Sequence, residues 1–251
     1  MNKLKWHTSL FDELNEYWEE IADARFTENE IKFIEKVVKT KDSVLDLCCG
    51  TGRHSILLHK KGWNIIGLDI SPNLLKIAKD RMKDKQVHFP LVRGEMRHLP
   101  FQSGAFAAVI NMFTSFGYLP SKKEDMKSLK EIARILKQNG LFLIDILNRE
   151  RLVSTFRKKD WGEFPSFYML EKRTLDVKES RLYSQWVIVD RNSGKTKTFD
   201  HKLRLYPLPQ LQEMLQNAGL TIEKVYGDYE EQQLQQNSLR LIVLSRKAHL
   251  Y

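Results

Sequence analysis

The stretch Val44–Ser55, VLDLCCGTGRHS, constrains this chain more than any other. Val44-Leu45-Asp46-Leu47 is a short apolar run of the length of a buried parallel strand. Two small residues follow, Cys48 and Cys49, then Gly50-Thr51-Gly52, and an amphipathic helix opens at Arg53. Strand, glycine-bearing turn and helix in that order build a nucleotide-type crevice at the carboxyl end of the strand. The glycines let a ligand approach the backbone closely. A dinucleotide site needs G-x-G-x-x-G, so that a pyrophosphate rests on the helix N-terminus. Here the spacing is Asp46-x-Cys48-x-Gly50-x-Gly52, with an acid at the strand end that repels a pyrophosphate and suits a cation. The plainer alternative is a glycine turn closing an ordinary βα unit.

A second acid sharpens the pattern. Trp63–Pro72, WNIIGLDISP, is a second buried strand ending in Asp69, 23 residues after Asp46 and within the interval expected for a carboxylate that grips a ribose. Ser71 and Pro72 suit the cap and first turn of the next helix. An acidic crevice with a ribose grip matches S-adenosylmethionine, whose α-ammonium and sulfonium are cationic and whose carboxylate can use N–H groups at a helix start.

The motifs Gly50-Thr51-Gly52-Arg53-His54, Gly67-Leu68-Asp69-Ile70-Ser71, Gly94–Phe101 (GEMRHLPF), Thr114–Tyr118 (TSFGY) and Arg204-Leu205-Tyr206 together resemble the class I S-adenosylmethionine-dependent methyltransferases, in particular bacterial-type small-molecule enzymes. The resemblance runs from about Arg25 to Lys247. Cys48 stands where many relatives have Gly, and Glu95 where Asp is usual. The fold it implies is α/β: a Rossmann-like seven-stranded sheet with helices on both faces, plus a small antiparallel β insertion. It implies that Glu95 accepts from the adenine amine while Met96 packs on the ring. It also places Arg25 and Thr27 near the site, with Arg25 facing the methionine carboxylate or a surface acid. The residues expected to bind the cofactor are Tyr17, Arg25, Asp46, Cys48, Cys49, Gly50, Thr51, Gly52, Asp69, Ile70, Glu95, Met96, Asn111, Met112 and Phe113.

The chain has 251 residues and 42% apolar content, enough for one packed domain with an insertion. Its formal charge of +9 fits an acidic partner such as RNA, or spread solubility charge. The two cysteines are sequence neighbours, a poor geometry for a disulfide, and no Cys/His spacing suggests a metal. Met1–Leu10 lacks an apolar core of signal-peptide length, and no run approaches a membrane span, so a soluble cytoplasmic protein is expected.

Helices are expected at residues 10–23 and 28–39, with Phe11, Leu14, Tyr17, Trp18 and Ile21 at helical spacing. These residues pack the first helix on the core or form a lid in which Tyr17 or Trp18 shields the methionine end. Val87–Val92 is expected as the third strand and Phe106–Asn111 as the fourth. A helix Lys122–Gln138 stops at Asn139-Gly140, and Leu141–Leu147 is a fifth strand. Phe167–Leu175, Arg181–Asp190 and Lys195–Tyr206 are β-rich, with a hairpin turn at Arg191–Lys195. The expected organisation is a core of residues 1–149 and 207–251 with an inserted antiparallel cap at 150–206, which in the similar enzymes chooses the substrate. A helix Pro209–Ala218 and strands Leu220–Tyr226 and Ser238–Arg246 close the fold.

The reacting groups belong at the carboxyl end of the fourth strand. Asn111-Met112-Phe113-Thr114 does not match the D/N-P-P-Y-like segment of methyltransferases acting on DNA bases or glutamine. Phe113, Phe116 and Tyr118 either hold a cation by their faces or form a hydrophobic wall. Candidate catalytic residues are Ser115, Tyr118, His201 and Tyr206, with Arg149 as a further substrate-side candidate; His201 is either a base or a solvated strand histidine. The reading is an N- or O-methyltransferase of a small-molecule acceptor, working mainly by in-line alignment. Rival readings are an RNA methyltransferase, a non-catalytic S-adenosylmethionine-binding sensor or partner subunit and, as an outsider, a nicotinamide dehydrogenase. The sequence names neither the acceptor nor an oligomeric state.

Overall fold

The computed structural model describes residues 6–22 and 24–248. Helices α1 (Trp6–Glu13), α2 (Asn15–Ile21) and α3 (Ala24–Val37) come first. Alternation follows: β1 (Val44–Leu47), α4 (Arg53–Lys60), β2 (Ile65–Asp69), α5 (Pro72–Asp84), β3 (Leu91–Arg93), β4 (Phe106–Asn111), α6 (Lys122–Ile135) and β5 (Leu136–Leu147). The short helix α7 (Arg149–Ser154) leads into β6 (Lys159–Glu163), β7 (Phe167–Asp176), β8 (Arg181–Asp190) and β9 (Thr196–Arg204). The described chain closes with α8 (Leu208–Asn217), β10 (Leu220–Tyr226) and β11 (Arg240–Lys247).

Seven strands form one sheet in the order β10-β11-β5-β4-β1-β2-β3. β11 runs antiparallel to both β5 and β10, while β1, β2, β3, β4 and β5 are parallel to one another. All four residues of β1 are buried, as a central strand covered on both faces requires. One face is covered by Leu129 and Ile132 of α6 and Leu211 and Leu215 of α8. The other is covered by Ile31 and Ile34 of α3, Ile56 and Leu58 of α4 and Met82 of α5. The order reverses between β1 and β4, and the carboxyl ends of those strands open the crevice where such sheets bind ligands. Ser71 caps α5 by accepting from the Leu74 N–H, with Pro72 in the first turn, a pairing worth about 1 kcal/mol.

The second sheet is antiparallel, in the order β6-β7-β8-β9. Phe167, Ile188 and Phe199 on its inner face pack against Leu10, Leu14 and Tyr17 of the N-terminal helices. Its β9 edge meets the loop after β4, where the Arg204 N–H donates to the Gly117 carbonyl at 2.9 Å. Only glycine fits there: φ is +105°, and a Cβ would run into the Arg204 carbonyl oxygen.

Several boundaries differ from the sequence expectation. The first helix bends at Leu14, yet the N–H groups of Leu14 and Trp18 still donate to Leu10 and Leu14, so the side-chain period runs through the bend. α6 ends at Ile135 because Leu136 pairs with Phe106 while Leu141 pairs with Ala108; Asn139-Gly140 belongs to a bulge of β5, not to a helix stop. β3 begins only at Leu91, since the Val87 N–H turns back to the Met82 carbonyl. β6 was not expected at all: KDWGE is a polar edge strand without an apolar period. No described helix is long and apolar enough to cross a membrane.

Candidate active site

The turn after β1 takes its shape from left-handed residues. Cys48, Gly50 and Gly52 have φ of +63°, +55° and +73°. The Gly50 N–H donates to Asp69 Oδ2 at 2.8 Å, and the Ser71 N–H donates to Oδ1 at 2.9 Å. The β2 carboxylate thus braces the glycine turn while keeping lone pairs toward the crevice. Burial is the main reason that Asp69 is pushed up to about 6, against the lowering effect of the Ser71 and Gly50 amides. Asp46 is also raised by burial, although Ser55 donates its hydroxyl to Oδ2 at 2.5 Å. Burial raises the Cys48 and Cys49 thiols, and the charges of Asp69 and Asp46 add to it; both cysteines are free.

Cys48, Gly50, Asp69, Ile70, Glu95, Met96, Ser115 and Tyr118 share one cavity, joined by Leu74, Gly94 and Leu119. Phe11 and Trp18 form its outer wall. Its volume is about 80 Å³, below the ~300 Å³ of a small-ligand site. The helices carrying Phe11 and Trp18 are tied down by polar contacts. Ser71 donates to Asp12 Oδ1 at 2.6 Å, and the Ser166 hydroxyl donates to Glu20 at 2.5 Å.

None of the other expected cofactor residues with a described side chain lines this cavity. Cys49 is anchored by its N–H to the Leu68 carbonyl, and Gly52 opens α4. Thr51 accepts from Arg81 at 3.0 Å. Asn111 donates from Nδ2 to the Leu47 carbonyl at 2.8 Å, leaving its buried Oδ1 without a partner among the described residues. Met112 is buried in the core. Tyr17 sits edge-on to Phe167, with ring centroids 5.0 Å apart. The side chain of Arg25 lies outside the described residues. Glu95 holds Arg97 by both oxygens, at 2.8–3.1 Å, and Arg97 also reaches Glu124.

The loop after β4 is held in an unusual conformation. Phe113 and Thr114 are consecutive non-glycine residues with φ of +59° and +60°, a conformation that costs of the order of 1 kcal/mol or more per residue. Asp145, near the carboxyl end of β5, secures them: its Oδ2 accepts from the Phe113 N–H at 2.9 Å and its carbonyl from the Thr114 N–H at 2.9 Å. Arg240 on β11 donates to Asp145 Oδ1 at 2.7 Å and to the Thr114 hydroxyl at 2.8 Å. The Tyr229 hydroxyl donates to the same carboxylate at 2.7 Å. Two guanidiniums flank the Phe113 ring: Arg53 at 4.9 Å and Arg240 at 5.9 Å. Arg53 is itself buried against Thr27 and Glu30. Burial alone raises Glu30, but hydrogen bonds and charge from His54 and Arg53 hold it at about 2. The sequence reading missed Asp145 and Arg240; the signal was an acid inside the otherwise apolar strand LFLIDIL, which demands a buried cation.

Of the catalytic candidates, Ser115 and Tyr118 stand at the cavity. Tyr206 does not line it: its hydroxyl donates to Asp125 at 2.5 Å, beside Arg204, which ties the returning chain to α6. Arg149 is turned toward Ser180 and the Val177 carbonyl. His201 is buried, not solvated, with its ring centroid 4.2 Å from Trp186 and 6.4 Å from Tyr118; burial pushes its imidazole down to about 4, too low for an effective base at neutral pH. No metal-ligand cluster occurs among the described residues.

A methyltransferase-domain family matches residues 44–140. A putative methyltransferase of Bacillus subtilis, YqeM, is 28% identical over 86% of this chain and 89% of its own. A demethylmenaquinone methyltransferase of Oceanobacillus iheyensis is 31% identical, over 72% of this chain and 71% of its own. An S-adenosylmethionine-dependent methyltransferase from Clostridium acetobutylicum has the same fold, with a TM-score of 0.78 at 20% identity, covering 88% of this chain and 92% of that one.

Proposed function

Because this chain belongs to the S-adenosylmethionine-dependent methyltransferases, we propose that it methylates a nitrogen or oxygen of a small molecule presented against the loop after β4. The observation that carries this reading is the shared cavity. Ser115 and Tyr118, from that loop, line the same space as Gly50, Asp69 and Glu95. An acceptor resting on the loop is therefore within reach of whatever the turn after β1 holds.

The residues fit the cofactor. Asp69 keeps lone pairs for ribose hydroxyls, Met96 and Ile70 give apolar surface for an adenine, and the Asn111 Oδ1 is a buried acceptor in want of a donor. Bound there, S-adenosylmethionine supplies a methyl group already activated by its sulfonium. The protein's task is to align the acceptor's lone pair and exclude water. Phe11, Trp18 and Tyr118 form the excluding wall, and the strained Phe113–Thr114 turn fixes the acceptor side. Burial raises the Tyr118 hydroxyl, so it is no base at neutral pH, which suits a nucleophile that arrives unprotonated or loses its proton to water.

We assign residues 1–149 and 207–251 to the methyl-transfer core and 150–206 to a cap that selects the acceptor. Two free adjacent thiols suit the reducing cytoplasm. The test is transfer of a labelled methyl group from S-adenosylmethionine to panels of small amines, small hydroxy compounds and RNA. Label on a nitrogen or oxygen of a small molecule is the expected result. Label confined to RNA, or none on any acceptor while the cofactor still binds, refutes the reading.

A further inference from the structure

The outer face of the four-stranded sheet, turned away from Phe167, Ile188 and Phe199, carries an apolar row that nothing among the described residues covers. Strand register places Trp161, Leu170, Val187 and Thr198 side by side across β6, β7, β8 and β9. Trp161 is 67% exposed and Leu170 48%, and Tyr183, two rows along on the same face, is 38% exposed. These are three of the five large apolar side chains that stand exposed among the described residues. Scattered singly they would need no explanation; gathered on one sheet face they mark a contact surface.

The charges on this face are unevenly placed. Lys159 and Lys172 are register neighbours in the row beside Trp161 and Leu170, and neither has an acid to pair with among the described residues. Like charges set directly opposite each other destabilise a sheet. The same row ends in Asp200 on β9, which accepts from Gln185 at 3.0 Å. At the far end of the face, Asp176 on β7 stands beside Arg181 on β8.

We propose that two copies of this chain join through this face, across a two-fold axis that lies parallel to the strands between β7 and β8. Such an axis reverses the strand order in the facing copy, so each row meets its own row read backwards. Lys159 then meets the partner's Asp200, Lys172 the partner's Gln185, Leu170 the partner's Val187 and Asp176 the partner's Arg181. Each contact occurs twice, as an isologous interface requires. An axis running across the strands is less complementary. Through the lysine row it sets Lys159 and Lys172 against their own copies; through the Trp161 row it leaves Thr174 and Asp176 with nothing opposite. β7 and β8 are ten residues long, so at ~3.3 Å per residue and ~4.8 Å between strands the face measures roughly 500–600 Å². Two such faces bury roughly 1,000–1,200 Å², the lower range of a specific interface. A nucleic acid fits this face poorly, because Glu163, Asp176 and Asp200 interrupt its basic residues.

The test is sedimentation equilibrium of the full chain across the micromolar range, for the parent, Lys159→Glu, Asp200→Lys and the chain with both changes. Each single change sets like charges opposite each other, twice in the dimer, and should weaken association about tenfold or more. The double change exchanges the signs and should restore it. Both residues are exposed, and circular dichroism checks that each variant folds. Leu170→Glu should leave a monomer. A parent chain that stays monomeric throughout overturns the proposal, as does a dimer indifferent to both single changes. A double variant no tighter than the singles overturns the two-fold arrangement. A monomeric parent that binds a single-stranded oligonucleotide, and loses it in Lys159→Glu, assigns the face to nucleic acid instead.

Discussion

The pH dependence of cofactor binding is the sharpest test of Asp69. Its carboxyl is pushed up to about 6 by burial in the ligand-free protein. Ribose hydroxyls donate to a carboxylate, so binding favours the ionised form and lowers the pKa. Binding below pH 6 therefore releases a proton, and affinity must rise with pH through the window between the bound and free pKa. With a free value of about 6 the group is roughly nine-tenths ionised at pH 7 and one-tenth at pH 5, so affinity for S-adenosylhomocysteine should fall about tenfold, or ~1.4 kcal/mol, between them. Above pH 7 it should be flat. Folding of the free protein has the opposite slope: the folded state holds the proton and the unfolded state has lost it, so stability falls as pH rises from about 4 to 6. Calorimetric titration at stepped pH in wild type and Asp69→Asn reads this directly. Affinity that does not change between pH 5 and 7, or a slope that survives in Asp69→Asn, would refute the assignment of the ribose to this carboxylate.

Two other substitutions separate the cofactor turn from the loop that faces it. Gly50→Val places a β-branched side chain at φ +55° with its Cβ 3.5 Å from Trp18 Nε1; S-adenosylhomocysteine binding should be lost from protein whose circular dichroism shows it folded, and retained binding removes this turn from the site. Arg240→Ala strands Asp145 as an uncompensated buried charge, which should cost ~3–5 kcal/mol of stability in urea titrations; a loss under 1 kcal/mol means that Tyr229 and the Phe113 amide suffice to hold it.

The turn after β1 and the acid that braces it were legible because their constraints are local. The apolar run to Asp46, the glycine turn and the second run to Asp69 each need specific residues within a few positions, and pattern alone exposes them. The loop after β4 and the returning chain depend on pairings across long stretches of sequence. Asp145 and Arg240 are 95 residues apart and meet only because β11 lies beside β5. Tyr206 carries a motif yet serves Asp125, 81 residues earlier. His201 looked solvated because its neighbours Asp200 and Lys202 are polar; the strand's alternation turns it inward. Polar edge strands such as β6 lack the apolar period that reveals a strand.

The clasp of Asp145 and Arg240 on the Phe113–Thr114 turn has a consequence for the order in which it is assembled. Chains are made from the amino end, so β1, β2 and the glycine turn leave the ribosome well before residue 240. Asp145 reaches the Phe113 and Thr114 N–H groups once β5 is made, but its charge has no Arg240 partner until β11 arrives. The buried pair is therefore completed last, when the final strand closes the sheet beside β5.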